Sequence, residues 1–195
     1  GWRPVAGAGK HTHLNGGSGL VNTAGGNEPG WDSTWTAYVG APSNYAVAPT
    51  GAGAANKAAW DTNLNCNSAS TWTGQPGANE SKPANCLSWY DLHAFCLWDG
   101  GFLPSEAEWE YACRAGSLSP WSGGLSAPEQ VQAASPGPVQ LASLPPNAWG
   151  LYEMHGNVAE ICRDWLPPNA LMQNTLDPEG ATTGGADDLF ALRGG

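Results

Sequence analysis

Two adjoining stretches decide the fold: Asn85-Cys86-Leu87-Ser88-Trp89-Tyr90-Asp91, running on through Ala94-Phe95-Cys96, and Leu103-Pro104-Ser105-Glu106-Ala107-Glu108-Trp109-Glu110-Tyr111-Ala112. In the first, Trp89, Leu92, Phe95 and Cys96 recur at i, i+3, i+6 and i+7, the spacing of one helix face. Ser88 stands before this stripe, and Asp91 follows it at three residues, where a carboxylate complements the helix N-terminus. Gly100-Gly101 supplies the stop. The spacing predicts a helix over about 89–98. In the second stretch Ser105 and Glu108 form a capping box directly after Pro104, and Trp109, Ala112 and Cys113 share a face until Gly116. That predicts a second short helix over about 105–115.

Upstream of Asn85 the pattern is different. Asn15-Gly16-Gly17, Ala24-Gly25-Gly26-Asn27, Glu28-Pro29-Gly30 and Pro49-Thr50-Gly51 punctuate the chain with turn chemistry. Aromatic pieces such as Trp31–Val39 read as short strands between loops, and Ala54–Trp60 reads as one or two helical turns. Downstream of Gly116 the chain returns to Pro, Gly and Ser. The segment Ala148–Trp165 reads as a Gly156-Asn157 turn followed by a short strand, Ala181–Asp188 as polar loop, and Leu189–Leu192 as the start of a strand. The fold class is therefore α+β, poor in regular structure, in one domain spanning residues 1–195. Both ends read as cut from a longer chain.

Composition narrows the function. The 195 residues include 27 Gly and 16 Pro, more than a fifth of the chain, together with 11 Trp. That much aromatic surface builds a core and excludes general disorder. A net charge of −10, with no basic cluster, excludes nucleic acid as a partner. No apolar run reaches the roughly 18 residues of a membrane span. Five cysteines, Cys66, Cys86, Cys96, Cys113 and Cys162, occur without a C-x-x-C pair, which argues against a zinc ribbon or a thioredoxin-type redox site. Few lysines, many Trp, Asn and Gly, and dispersed cysteines favour an exported protein, periplasmic, cell-surface or extracellular.

The two helical stretches resemble the signature helices of the formylglycine-generating enzyme family, also called sulfatase-modifying factors. Pro146-Asn147-Ala148-Trp149-Gly150-Leu151-Tyr152-Glu153-Met154-His155-Gly156-Asn157-Val158-Ala159-Glu160 resembles a second block of that family, and Leu192-Arg193-Gly194-Gly195 the start of a third. The resemblance implies a C-type-lectin-like variant fold. It also implies oxidation of a target cysteine to formylglycine by oxygen and a copper ion held on two thiolates, soft ligands that suit Cu(I). A sulfatase-like protein or peptide would be the substrate, and a monomer the form. The family's copper cysteines follow the Arg-Gly-Gly stretch, so the resemblance places none of the copper ligands among these 195 residues. At Cys96 and Cys113 it implies structural disulfide cysteines with partners further along the family's chain. Cys66 and Cys86 read either as a disulfide closing the intervening loop or as two free buried thiols, and Cys162 as a small apolar side chain.

The second block implies a structural calcium site, with the side chain of Glu153, the carbonyls of Gly156 and Val158, and the carboxylate of Glu160 as ligands. Hard Ca²⁺ takes six to eight oxygens, and a glycine turn lets carbonyls converge. The sequence departs from the family where Glu153 replaces a shorter Asn or Asp, and where Ala159 and Ile161 replace aromatic residues; an acidic turn without metal is the other reading. A second family calcium site is not expected, because residues 117–146 contain neither Asp nor Asn.

His11 and His13 would share one strand face, yet no His-x-x-x-His-x-Glu run completes a non-haem iron site. That weakens a sulfoxide synthase of the ergothioneine type and leaves turn-adjacent hydrogen bonding beside Asn15-Gly16. His93 and His155 read as packing groups, Glu106, Glu108 and Glu110 as helix-terminal charge, and Trp89, Trp98, Trp109 and Trp149 as core. The alternative to the oxidase is a non-catalytic, lectin-like module that binds a ligand or protein.

Overall fold

A computed structural model of the chain describes residues 2–22, 25–40, 53–54, 57–121, 137–166, 178–179 and 189–194. The elements run β1 (Val21–Asn22), α1 (Lys57–Asn63), α2 (Trp89–Trp98), α3 (Glu106–Arg114), β2 (Ala159–Leu166), β3 (Pro178–Glu179) and β4 (Leu189–Gly194). β1 pairs with β3 in parallel, and β2 with β4 antiparallel, with an irregularity between Ile161 and Trp165. The architecture is thus a mixed helix–strand fold with little sheet.

Both helices start as the capping chemistry predicts. The Ser88 hydroxyl accepts from the Asp91 amide, and Asp91 Oδ2 accepts from the Ser88 amide at 3.0 Å. Ser105 and Glu108 repeat the arrangement at α3. Each box satisfies amides that have no partner within the helix. Asp91 reaches further than its own helix, because its Oδ1 accepts from the Gly40 amide at 2.6 Å. At the far end of α2 the Gly101 amide donates to the Cys96 carbonyl, and α3 ends on Ala115 in the left-handed region.

The buried face of α2 is not the expected stripe. Trp89, Tyr90, His93 and Ala94 point inward, whereas Phe95 is exposed. The aromatic residues Trp31, Trp165 and Phe190 lie against the former side and set the register. Trp31–Val39 also differs from its reading as strand. Ser33–Tyr38 is a 3₁₀ helix, begun by Asp32, whose side chain accepts from the Thr34 amide. This local cap competes with extended pairing. α1, described from Lys57, continues past the end of the Ala54–Trp60 reading to Asn63. Ala181–Asp188 lies outside the described residues.

β2 is covered on both faces. Ile161 and Trp165 join the main core with Trp89 and Phe190, while Cys162 joins Trp109, Cys113 and Ala191 beneath α3. Successive side chains of a strand point to opposite faces, so one strand fastens both helices. Its two buried charges have partners: Asp164 Oδ2 accepts from the Glu106 amide at 2.5 Å, and Arg163 Nε lies 3.2 Å from Glu28. Trp98 and Trp149 do not belong to the core; each is at least half exposed.

Candidate metal site

The Pro146–Glu160 block is held in place by one buried asparagine. Asn147 donates from Nδ2 to the Ala112 and Cys113 carbonyls at 2.8 and 3.1 Å, and its Oδ1 accepts from the Trp149 and Leu151 amides. The last carbonyls of α3 lack intrahelical donors, and this side chain supplies them while fixing the turn that follows. Glu153 and Asn157 both adopt left-handed backbone, and Asn157 Oδ1 accepts from the Val139 amide at 2.9 Å. Asn tolerates that region at small cost; Glu does not. The Gly156 amide donates to the Gly194 carbonyl at 3.1 Å and ties the turn to β4.

These constraints bring Glu153, Gly156, Val158 and Glu160 to the wall of one cavity of about 250 Å³. The glutamate at 153 enters a hydrogen bond of its own, its Oε1 accepting from the Ser143 amide at 3.0 Å. Glu160 accepts from the Trp109 indole, which links the cavity to α3. Burial pushes the Glu160 carboxyl above the usual carboxylate range, and the charge of Glu153 adds to that shift, against the indole hydrogen bond. Glu153 and Glu160 both line this small cavity, each with one oxygen already accepting a hydrogen bond. With the carbonyls of Gly156 and Val158, these carboxylates could supply oxygen ligands to a hard cation such as calcium.

The cysteines do not fit a copper centre. Cys66 and Cys86 form a disulfide with Cα atoms 5.7 Å apart, which resolves the two readings of that pair. Burial pushes the Cys96 thiol up, and burial together with Asp164 pushes the Cys162 thiol to about 12, opposing the thiolates that Cu(I) needs. Cys113 and Cys162 are buried in the small core under α3, and Cys113 Sγ lies 3.6 Å from His155 Nε2. Among the described residues no group of three or more His, Cys, Asp and Glu side chains is placed to hold a metal. Residues 122–136, within the span read as lacking a second calcium site, lie outside the described residues.

The histidines are placed differently from expectation. His11 is fully buried, its Nδ1 2.9 Å from Glu28 and its Nε2 3.0 Å from Glu108. Its side chain serves as a buried ion-pair hub and not as part of a strand face, while its carbonyl accepts the turn hydrogen bond of Leu14 at 2.9 Å. His13 is exposed and meets Glu108 at 3.5 Å. His93 packs edge-on against Trp31 and Trp89, and burial drives its imidazole down to about 3. Glu108 therefore combines helix capping with pairing to His11, and Glu106 and Glu110 reach Arg193 on β4. Sequence reasoning missed Glu28 and Arg163, because nothing local distinguishes a turn glutamate from a buried one. Asn147, three residues before a glycine and after two prolines, carried a readable turn signal.

The formylglycine-generating enzyme of Mus musculus is 36% identical over 120 residues, 52% of this chain and 32% of that protein. That of Streptomyces coelicolor is 37% identical over 145 residues, 63% of this chain and 43% of that one. That of Thermomonospora curvata is 28% identical over 198 residues, covering 90% of this chain and 56% of its own length. The chain thus spans about a third to just over half of these relatives. With residues 21–195 matching the sulfatase-modifying factor enzyme 1-like domain, nearly the whole of its length, the chain belongs to that family.

Proposed function

We propose that this chain forms the calcium-bound scaffold of a formylglycine-generating-type oxidase, exported to an oxidising compartment and built on a C-type-lectin-like frame. The observation that carries the reading is that Glu153, Gly156, Val158 and Glu160 line one cavity, Glu160 being the carboxyl that burial raises. The Cys66–Cys86 disulfide supports export, since such bonds persist where thiols are oxidised. Among the described residues no helix is long and apolar enough to cross a membrane. When bound, copper and oxygen supply the oxidation of a cysteine in a sulfatase-like protein substrate. On this reading the soft-metal ligands are residues other than the five cysteines here. The residues described here hold α2, α3 and the calcium loop in register, and Arg193 anchors the end of β4 to α3 through Glu106 at 2.5 Å.

The test incubates the natural full-length protein, loaded with copper and calcium, with oxygen and a Cys-x-Pro-x-Arg peptide, and traps peptide aldehyde with a hydrazide. Aldehyde formation is the expected result. Bound copper without aldehyde would overturn the oxidase and leave a ligand- or protein-binding module, a reading favoured by Ala159 and Ile161 beside Glu160.

A further inference from the structure

The chain holds one Asn-Gly step, Asn15-Gly16, which lies apart from the candidate calcium cavity. Both residues are exposed, as is Gly17 behind them. They form a short 3₁₀ turn in which Asn15 and Gly16 take left-handed backbone, with φ of 48° and 64°. Asn15 Nδ2 donates to the Gly19 carbonyl at 2.7 Å. Backbone bonds close the rest of the turn, Gly17 to Leu14 at 2.9 Å and Ser18 to Asn15 at 3.3 Å. The Gly16 amide donates no backbone hydrogen bond, and a Cβ at Gly16 would meet nothing within 4 Å.

We infer that Asn15 is a site of spontaneous deamidation in the folded protein, with water as the co-reactant. The Gly16 amide nitrogen gives its proton to hydroxide and forms a bond to Asn15 Cγ. The Cγ–Nδ2 bond breaks, and Nδ2 leaves as ammonia after taking a proton from water. A five-membered succinimide remains. Water then opens one of its two imide bonds, leaving either aspartate or an isoaspartyl linkage through the side chain; nothing is oxidised or reduced. A side chain at position 16 would crowd this ring closure, whereas glycine does not and rotates freely. Every other asparagine of the chain precedes a residue that carries a side chain, so the reaction is confined to this turn.

The place of the turn gives the modification a consequence. Gly19, whose carbonyl Asn15 holds, packs against the Glu28 carboxylate, and the next amide, that of Leu20, donates to Glu28 Oε1 at 3.2 Å. On the other side the Leu14 amide donates to the His11 carbonyl at 2.9 Å. Deamidation turns the donor facing the Gly19 carbonyl into a carboxylate that repels it, and isoaspartate also lengthens the backbone of the turn. Either product loosens the loop that seats the buried His11–Glu28 pair, and adds a negative charge to a chain already at −10. Asn15 is thus a slow, irreversible switch on stability, and it does not depend on the oxidase reading.

The experiment ages the whole folded chain in mildly alkaline buffer at physiological temperature and maps its peptides by mass spectrometry, beside the same chain unfolded in guanidinium. The mass gain of amide-to-acid exchange is expected at the Asn15 peptide, with isoaspartate among the products. Its rate should lie within about tenfold of that in the unfolded chain, since one side-chain hydrogen bond must open first. Asn15→Gln keeps the amide but would need a six-membered ring, and is expected to abolish the conversion. Asn15→Asp, the product made directly, is expected to melt about 2–4 °C lower through the lost hydrogen bond. Asn15 intact in the folded chain while the unfolded chain converts, equal conversion at other asparagines, or an unchanged midpoint in Asn15→Asp would each overturn the inference.

Discussion

His11 Nδ1 lies 2.9 Å from Glu28 Oε1, and neither side chain has any solvent exposure. Gly19 permits this contact, because a Cβ there would collide with the Glu28 carboxylate. Glu108 from α3 and Arg163 from β2 complete a buried network that joins the N-terminal loops to both halves of the core. Burial alone would depress the His11 imidazole, but the hydrogen bonds and charges of Glu108 and Glu28 outweigh it and raise the group to about 9.

A pH dependence follows from that raised value. A histidine held above its ordinary 6.5 contributes its full stability below that pH and loses it as pH rises through about 9. Chemical denaturation between pH 6.5 and 9 is expected to give unfolding free energies falling by up to about 1.4 kcal/mol per pH unit, the limit for one proton. His11→Asn is expected to flatten this limb and to lower stability at pH 6.5 by about 3–5 kcal/mol, because two carboxylates lose their buried partner. A limb equally steep in the folded variant would contradict the assignment.

Calcium is expected to raise the melting midpoint. At calcium a hundredfold above its dissociation constant the stabilisation is about 2.7 kcal/mol, which for a chain of this size is roughly 5–10 °C. Glu160→Gln is expected to abolish the calcium response while leaving the calcium-free midpoint near its original value or above it, since the desolvated charge is removed. Scanning calorimetry with calcium and with EGTA measures both arms, and identical midpoints would exclude the site.

Opening the Cys66–Cys86 bridge, which closes a sequence separation of 20 residues, is expected to cost about 3 kcal/mol through the entropy regained by the unfolded chain. The hydrogen bonds of Asn85 to Thr71 and Ala69 remain in place beside it, so the native fold persists without the bridge. Guanidinium unfolding of the Cys66→Ala/Cys86→Ala variant checks the magnitude. A non-reducing peptide map lacking the Cys66–Cys86 cross-link would refute the pairing.

Asn147→Ala removes two hydrogen bonds donated to the end of α3 and two accepted by one oxygen in the turn that leads to the candidate calcium cavity. A loss of about 2–4 kcal/mol is expected from these unmade hydrogen bonds. Asn147→Asp is expected to be no milder, because its carboxylate would face the carbonyls of Ala112 and Cys113. Hydrogen exchange of the Trp149 and Leu151 amides reads the local effect directly, and unchanged protection would contradict the role given to this residue.

The helices were legible because their signals are local. Ser88 with Asp91 and Ser105 with Glu108 complete their caps within four residues, so no distant partner is needed to recognise them. The proposed calcium ligands came from the resemblance alone, since two of the four are backbone carbonyls that any residue could provide. The face of α2 was misread. The stripe through Phe95 has helical spacing, but the core lies where Trp31, Trp165 and Phe190 converge, and those residues come from segments far away in the chain.

From the order of residues alone came the mix of helix and strand and both capped helices, because each rests on short-range spacing, while the family came from the resemblance of the helical and Pro146–Glu160 blocks to known sequences. Only the folded chain decided that Glu28 and Arg163 are buried partners, that His11 is an ion-pair hub, and that Phe95 and Trp98 face solvent around a cleft. Burial and charge pairing are properties of distance in space, and residues 135 positions apart, such as Glu28 and Arg163, carry no mark in the sequence that they will meet.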